Sequence, residues 1–239
     1  NEIERILSGL TAMLSPFADE IHMSVNVMGA LDVIFARAVM ARDFRAVRPK
    51  LNDEGRIRIL KGRHPLIPKD KVVPVDIWLG ETFQTLIITG PNTGGKTVTL
   101  KTVGLFSLMA MSGMFIPADG GTILPVFSGL YADIGDEQSI AQSLSTFSSH
   151  MSNITNIAKK ADGDSLVLLD ELGAGTDPAE GAALAMAILE ELAGRGSFVL
   201  ATTHYSEIKA FATASDVYQN ACMEFNVKTL SPTYRLIMG

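Results

Sequence analysis

Residues 90–97 read Gly-Pro-Asn-Thr-Gly-Gly-Lys-Thr, a full match to G-x-x-x-x-G-K-[ST], directly after the apolar run Leu86-Ile87-Ile88-Thr89. The order matters as much as the string. A short β run delivers the chain into a glycine-rich turn, and a helix starting near Lys96 points its N-terminus back at that turn. Backbone N–H groups and the helix dipole then converge on one spot, which suits a phosphate. Gly90, Gly94 and Gly95 are expected to take backbone angles that a Cβ forbids. Pro91, Asn92 and Thr93 complete the loop and Val98 follows it, so residues 90–98 form the candidate nucleotide-contacting set. Lys96 is placed to reach the β- and γ-phosphates of a nucleotide, and the Thr97 hydroxyl to hold Mg²⁺. A chance match in a chain of this length has odds of roughly 1 in 100 on average composition. The competing reading is a glycine-rich turn carrying a solvated lysine.

Leu166-Val167-Leu168-Leu169-Asp170-Glu171 is the second motif. Four apolar residues bury a strand, and two carboxylates emerge at its C-terminal end, where open α/β sheets bind ligands. Asp170 is a candidate Mg²⁺ ligand together with Thr97. Glu171 is the candidate base that orients and deprotonates an attacking water. Alone, this pattern also describes a strand entering a turn; beside the phosphate loop it gains its meaning. Residues 172–178, Leu-Gly-Ala-Gly-Thr-Asp-Pro, follow at once. They read either as punctuation or as a loop touching nucleotide or a partner subunit. His204 ends the run Ala201-Thr202-Thr203-His204. A neighbouring parallel strand brings it beside Glu171, where a neutral imidazole can bond phosphate or water. Residues 142–151, Gln-Ser-Leu-Ser-Thr-Phe-Ser-Ser-His-Met, are rich in hydroxyls just before an expected helix. They offer either ordinary N-caps or a helix N-terminus for phosphate. Their order, between the phosphate loop and the Asp-Glu strand, is that of the signature element of ABC-type ATPases.

The elements that must position these residues are legible in outline. Residues 1–44 carry apolar side chains at helical spacing, first Ile3, Ile6, Leu7, Leu10, Met13 and Leu14, then Val27, Leu31, Ile34, Phe35, Ala38 and Val39. Pro16 is expected to kink or break the first helix. Residues 45–85 change character, with a turn at 51–55, an alternating strand at 56–60, and Pro65, Pro68 and Pro74 beyond it. An antiparallel β subdomain is expected there. Strand 86–89, helix 96–113, strands 122–126 and 130–134, helix 147–161, strand 166–169, helix 179–194 and strand 198–201 follow. Apolar strands alternating with helices imply a parallel sheet buried on both faces.

The 239 residues are 47% hydrophobic, enough for one large α/β domain or a domain with an appendage. A net charge of −6 argues against a surface built mainly to grip nucleic acid. The one cysteine, Cys222, rules out an internal disulfide and suits a reducing cytosol. No uninterrupted apolar run approaches the ~20 residues of a membrane helix, so no membrane partner is expected, and the chain reads as an excised fragment.

Together these motifs resemble the MutS family of DNA-binding ATPases. Thr89 through Thr97 is similar to its phosphate loop, including Asn92. Residues 63–66, Arg-His-Pro-Leu, resemble the segment that precedes it, and residues 145–147, Ser-Thr-Phe, resemble its signature. Residues 147–151, 170–178 and 202–205, with 231–236, resemble the second bacterial MutS paralogue, whose full-length form carries an Smr nuclease domain. The resemblance implies an α/β P-loop NTPase fold of ABC/MutS type. It has a mostly parallel central sheet with flanking helices, an antiparallel β subdomain and an N-terminal helical segment. Residues 1–44 would be the end of a lever region and residues 45–239 the ATPase domain. The resemblance further implies ATP/ADP and Mg²⁺ as cofactors and a cytoplasmic homodimer with composite ATP sites. It implies action on branched or mismatched DNA to suppress recombination, or on collided ribosomes and their rRNA. Ser145 would contact the other subunit's γ-phosphate, His204 would sense it, and any endonuclease would lie in another domain. The family's adenine contacts fall around Val72 and Val73, where MutS proper has an aromatic residue and this chain has valine. Two readings compete. One is a transporter-type nucleotide-binding subunit, which would carry the LSGGQ signature that is missing here. The other is a nucleotide switch with negligible turnover, against which Glu171 stands.

Overall fold

The computed structural model describes residues 1–135 and 143–239; of Asn92 and residues 143–146 only the backbone is described. The chain divides into two compact units, Asn1–Asp43 and Phe44–Gly239.

The first unit is helical throughout: α1 (Glu2–Leu14), a 3-10 turn (Ser15–Phe17) and α2 (Ala18–Asp43). Asn1 caps α1 by accepting from the Ile3 N–H at 3.2 Å. Pro16 lies at the start of the 3-10 turn, where its missing N–H interrupts the α-helical ladder. Neither helix has a buried residue, and Leu10, Phe17, Leu31, Ile34 and Phe35 are all exposed. By length and composition the helical run Glu2–Asp43, which contains an 18-residue stretch of mean hydropathy 1.5, is long and apolar enough to cross a membrane. Uninterrupted runs here are shorter, as expected, because Asp32 and Arg37 break them. Averaged over 18 residues of helix the apolar pieces join, so the helix meets the requirement of length and composition although no single run does.

The second unit contains two sheets. The smaller comprises β1 (Lys50–Asn52), β2 (Ile57–Gly62), β3 (Val75–Leu79) and, from later in the chain, β5 (Ile123–Pro125), in the order β1-β5-β2-β3. β2 runs antiparallel to β3 and to β5, as the turn-rich sequence predicts, but β1 pairs with β5 in parallel. β5 therefore belongs to this subdomain, whereas its place in the sequence suggested the main sheet. Val75, Ile77 and Leu79 are buried while Asp76 and Trp78 are not, the period-2 pattern of a half-buried strand.

The main sheet has six strands in the order β10-β9-β4-β8-β7-β6. They are β4 (Thr85–Thr89), β6 (Gly129–Asp133), β7 (Ser165–Leu169), β8 (Phe198–Thr202), β9 (Tyr218–Asn226) and β10 (Ser231–Met238). The pairs β9–β4, β4–β8, β8–β7 and β7–β6 are parallel, and β10 is an antiparallel edge. β7 and β8 are buried along their whole length, which explains their unbroken apolar sequences. The intervening helices are α3 (Lys96–Met111), α4 (Ser143–Lys160), α5 (Pro178–Gly194) and α6 (Ser206–Ala212). Ile154 and Ile157 of α4 with Ala185, Leu189 and Leu192 of α5 form one core with Ile87, Val167 and Val199 of the strands. α3 approaches so closely that a Cβ at Gly104 would lie 2.6 Å from Leu168 Cδ1. Two elements escape sequence reading: helix α6 and the β9–β10 hairpin.

Candidate functional site

The phosphate loop leaves β4 at the middle of the sheet. Gly90 (φ 128°) and Gly95 (φ 96°) occupy the positive-φ region, as expected. Gly94 does not: it lies in a 3-10 turn, Asn92–Gly94, and is needed for space, since a Cβ there would approach Met223 Cβ to 3.0 Å. Pro91 and Thr93 are exposed, as is Val98 on the first turn of α3, and Thr97 is half-buried. α3 starts at Lys96 with Gly95 as its N-cap and no side-chain cap, so the first-turn N–H groups face the loop. Lys96 is 2% exposed, and its Nζ donates to the Gly90 carbonyl at 2.6 Å. Burial pushes its pKa down, while the carboxylates of Glu171 and Asp170 act to raise it. The ammonium is thus held inside the loop, in the field of the Asp-Glu pair.

That pair follows β7, two strands from β4, with β8 between. Asp170 is 8% exposed, and its N–H donates to the Asp133 carbonyl at 2.9 Å. Thr202, fully buried at the end of β8, ties the pair together. Its hydroxyl donates to Asp170 Oδ1 at 2.5 Å and accepts from the Glu171 N–H at 2.8 Å. Glu171 itself has φ 49°, a left-handed conformation unfavourable for a glutamate. Strain of this kind costs about 1–3 kcal/mol and persists where the surroundings over-determine it. Here the Thr202 bond and the Leu172 N–H to Thr202 carbonyl bond at 2.8 Å hold both ends of the kink. The result lifts the Glu171 carboxyl off the strand line, half-buried, with Oε1 3.6 Å from His204 Nε2. The parallel β7–β8 register produces this approach.

The following loop folds back on the protein. The Tyr205 hydroxyl donates to the Gly173 carbonyl at 2.9 Å, and a Cβ on Gly173 would lie 2.5 Å from the Gly181 carbonyl. Asp177 caps α5, accepting from the Ala179 and Glu180 N–H groups at 3.0 and 3.4 Å, with Pro178 in the first turn. For Asp177-Pro178 the punctuation reading therefore accounts for what is seen.

Sequence reasoning missed two groups. The sequence pattern points to His204, two residues further on, rather than to Thr202, although a hydroxyl closing an apolar strand beside an Asp-Glu strand is a legible signal. Asp133, at the end of β6, accepts from Asn153 Nδ2 at 2.8 Å and lies 2.7 Å from His150 Nδ1, joining α4 to the strand that supports Asp170. Ser145 falls in the first turn of α4, which begins at Ser143 and not at 147 as expected; its side chain lies outside the described residues, as does Gln142.

Among the described residues no three His, Cys, Asp or Glu side chains gather as a metal cage. Mg²⁺ does not require one, because it is typically held by one or two protein oxygens together with water and substrate phosphates. Asp170 and Thr97 offer a buried carboxylate and a hydroxyl of the right kind, and the site fits the ion on those terms.

Residues 86–237 match MutS domain V. Over 238 residues the sequence is 61% identical to a protein named endonuclease MutS2 from Acetivibrio thermocellus. It is 59% and 58% identical to proteins of the same name from Caldicellulosiruptor saccharolyticus and Halalkalibacterium halodurans. All of this chain is covered, and it spans 30% of the length of each relative. MutS domain V is the P-loop ATPase-type domain, and the mixed α/β architecture with its N-terminal helix agrees with it. The loop of residues 90–97, the Asp-Glu strand end and the match over residues 86–237 lead to one assignment: this chain belongs to the MutS family, on the MutS2 branch.

Proposed function

We propose that the chain binds and hydrolyses ATP for a MutS-like DNA-binding protein. The observation that carries this is the convergence of buried Lys96, Asp170 and Thr202 with half-buried Glu171 and the more exposed His204 at the C-terminal ends of β4, β7 and β8. The loop N–H groups and Lys96 bind the β- and γ-phosphates. Asp170 and Thr97 would hold Mg²⁺, which supplies neutralisation of phosphate charge. Glu171 takes a proton from water as its oxygen bonds the γ-phosphorus and the bond to the bridging oxygen breaks, giving ADP and phosphate. His204, 3.6 Å from Glu171, steadies the carboxylate or the departing phosphate. Ser145 is assigned to the γ-phosphate of a second copy, making the sites composite in a cytoplasmic homodimer.

In the whole protein, the proposed clients are branched DNA in recombination or the ribosome, through regions mostly outside this chain. The relatives' name, endonuclease MutS2, supports a nuclease elsewhere in such a protein. The MutS assignment weighs against a transporter-type subunit. Titration calorimetry of this chain with MgADP tests the core of the proposal. Lys96→Ala, which deletes the buried ammonium held inside the loop, is expected to lose most of the affinity; unchanged binding would refute the site. Fractionating the full-length protein on DNA and on ribosomes, with and without a non-hydrolysable ATP analogue, separates the clients.

A further inference from the structure

Asp133 is a buried carboxylate that the proposed hydrolysis does not use. It closes β6, in register with Leu169 at the end of β7. Both of its side-chain oxygens are engaged from α4. Oδ1 accepts from Asn153 Nδ2 at 2.8 Å, and Oδ2 lies 2.7 Å from His150 Nδ1. A carboxylate only accepts, so Nδ1 donates and the ring is held in one orientation. Asn153 makes a second bond, to the Ala132 carbonyl at 3.3 Å. Three residues apart, His150 and Asn153 share one face of the helix.

An apolar contact would join helix to sheet without taking a carboxylate out of water. α4 makes such contacts one turn further on, where Ile154 and Ile157 enter the core. The polar link therefore does something that packing does not. The Asp133 backbone shows what: its carbonyl accepts the N–H of Asp170, the candidate metal ligand, at 2.9 Å. Asp133 and His150 also line a crevice of about 20 Å³ together with Asp170, Glu171 and Leu172, room for about one water. α4 carries Ser145 in its first turn. One helix thus holds both the residue assigned to a second copy's phosphate and the residue that grips Asp133.

We propose that His150 is a positioning residue for hydrolysis: it locks Asp133, and Asp133 fixes the backbone from which Asp170 and Glu171 project. The proposal rests on the reading of Asp170 as a magnesium ligand and Glu171 as the base. Outer partners of a metal ligand set its orientation, and removing one typically costs about 10- to 100-fold in metal affinity or activity. Without His150 the Oδ2 bond is lost, and α4 grips the Asp133 side chain through Asn153 alone.

Two measurements separate positioning from plain packing. Calorimetry of this chain with ADP, with and without Mg²⁺, reads the metal contribution without turnover. Steady-state ATPase kinetics of the full-length protein read hydrolysis. His150→Ala is expected to lower turnover by about 10- to 100-fold. It is also expected to weaken MgADP more than metal-free ADP, because the phosphate loop and Lys96 are untouched. His150→Gln keeps an N–H donor for Asp133 and is expected to restore most of both. A merely structural histidine would lower the melting temperature and leave turnover and the preference for MgADP as in wild type. That result overturns the proposal, and so does a glutamine variant no better than alanine. If His150→Ala does not fold, Asn153→Ala, which removes the Oδ1 bond instead, takes its place under the same criteria. If the wild-type chain binds ADP no better with Mg²⁺ than without, or Glu171→Gln turns over as wild type does, the reading of the Asp-Glu pair falls and the proposal with it. A metal-dependent wild type with unaffected variants refutes the positioning role alone.

Discussion

Thr202 holds the Asp-Glu pair in place, and Thr202→Val tests whether that hydroxyl sets the geometry of the site. Valine matches threonine in shape but removes the donor to Asp170 Oδ1 and the acceptor for the Glu171 N–H, at a fully buried position. A hydrogen bond to a charged group contributes about 1.5–3 kcal/mol, and a buried N–H left without its partner costs about 1–3 kcal/mol. Both losses share one atom and Glu171 is half-buried, so the sum is not additive; about 2–4 kcal/mol is expected. For a unit of this size that lowers the melting temperature by roughly 4–16 °C. ATP turnover falls as well, because Glu171 no longer has its kink enforced and relaxes from φ 49°. The effect should fall more on kcat than on KM, since Lys96 and the loop are untouched. Urea denaturation and steady-state kinetics read the two effects, and Thr202→Ser, which keeps the hydroxyl, should restore most of both. A destabilisation below about 0.5 kcal/mol, the scale of an ordinary surface change, with normal kcat would refute the role assigned to Thr202.

Glu171→Gln is expected to keep nucleotide binding and slow hydrolysis by about 10²–10⁴-fold, the usual worth of a positioned base; wild-type turnover would move the base elsewhere, with His204 the next candidate. For Ser145, mixing Ser145→Ala with Lys96→Ala chains leaves one composite site intact per mixed dimer, so activity should partly recover. No recovery despite demonstrated mixed dimers would mean that Ser145 serves its own chain. Burial, and then Lys101, hold the His64 pKa below its usual 6.5. The unfolded chain therefore binds the proton more readily, and stability should fall as pH drops from about 7 through 6.5 toward the folded value. His64→Gln should flatten that part of the stability–pH curve, and an unchanged slope would assign it to other groups.

Much of the site could be read from residue types alone because its determinants are local. A glycine-rich turn between a strand and a helix creates its own anion site, from β4, residues 90–97 and α3. An apolar strand ending in Asp170-Glu171 announces where its carboxylates emerge. Strict apolar runs at 166–169 and 198–201 also required a parallel sheet buried on both faces. Other features depend on pairings between distant segments, which no local pattern encodes. Strand order places β8 between β4 and β7, and this decides that Thr202 bridges Asp170 and Glu171. β5 joins the small sheet because it finds β1 and β2, more than sixty residues upstream, and not because of its own sequence. The left-handed turn at Glu171 and the bulge at Tyr234 run against the preferences of those residues, so reading propensities predicts the opposite. Sequence thus determined which chemistry the chain can carry, through spacing within single loops and strands. Tertiary structure decided which side chains hold that chemistry in register, because only long-range packing can enforce a strained backbone and close a buried hydrogen bond across two strands.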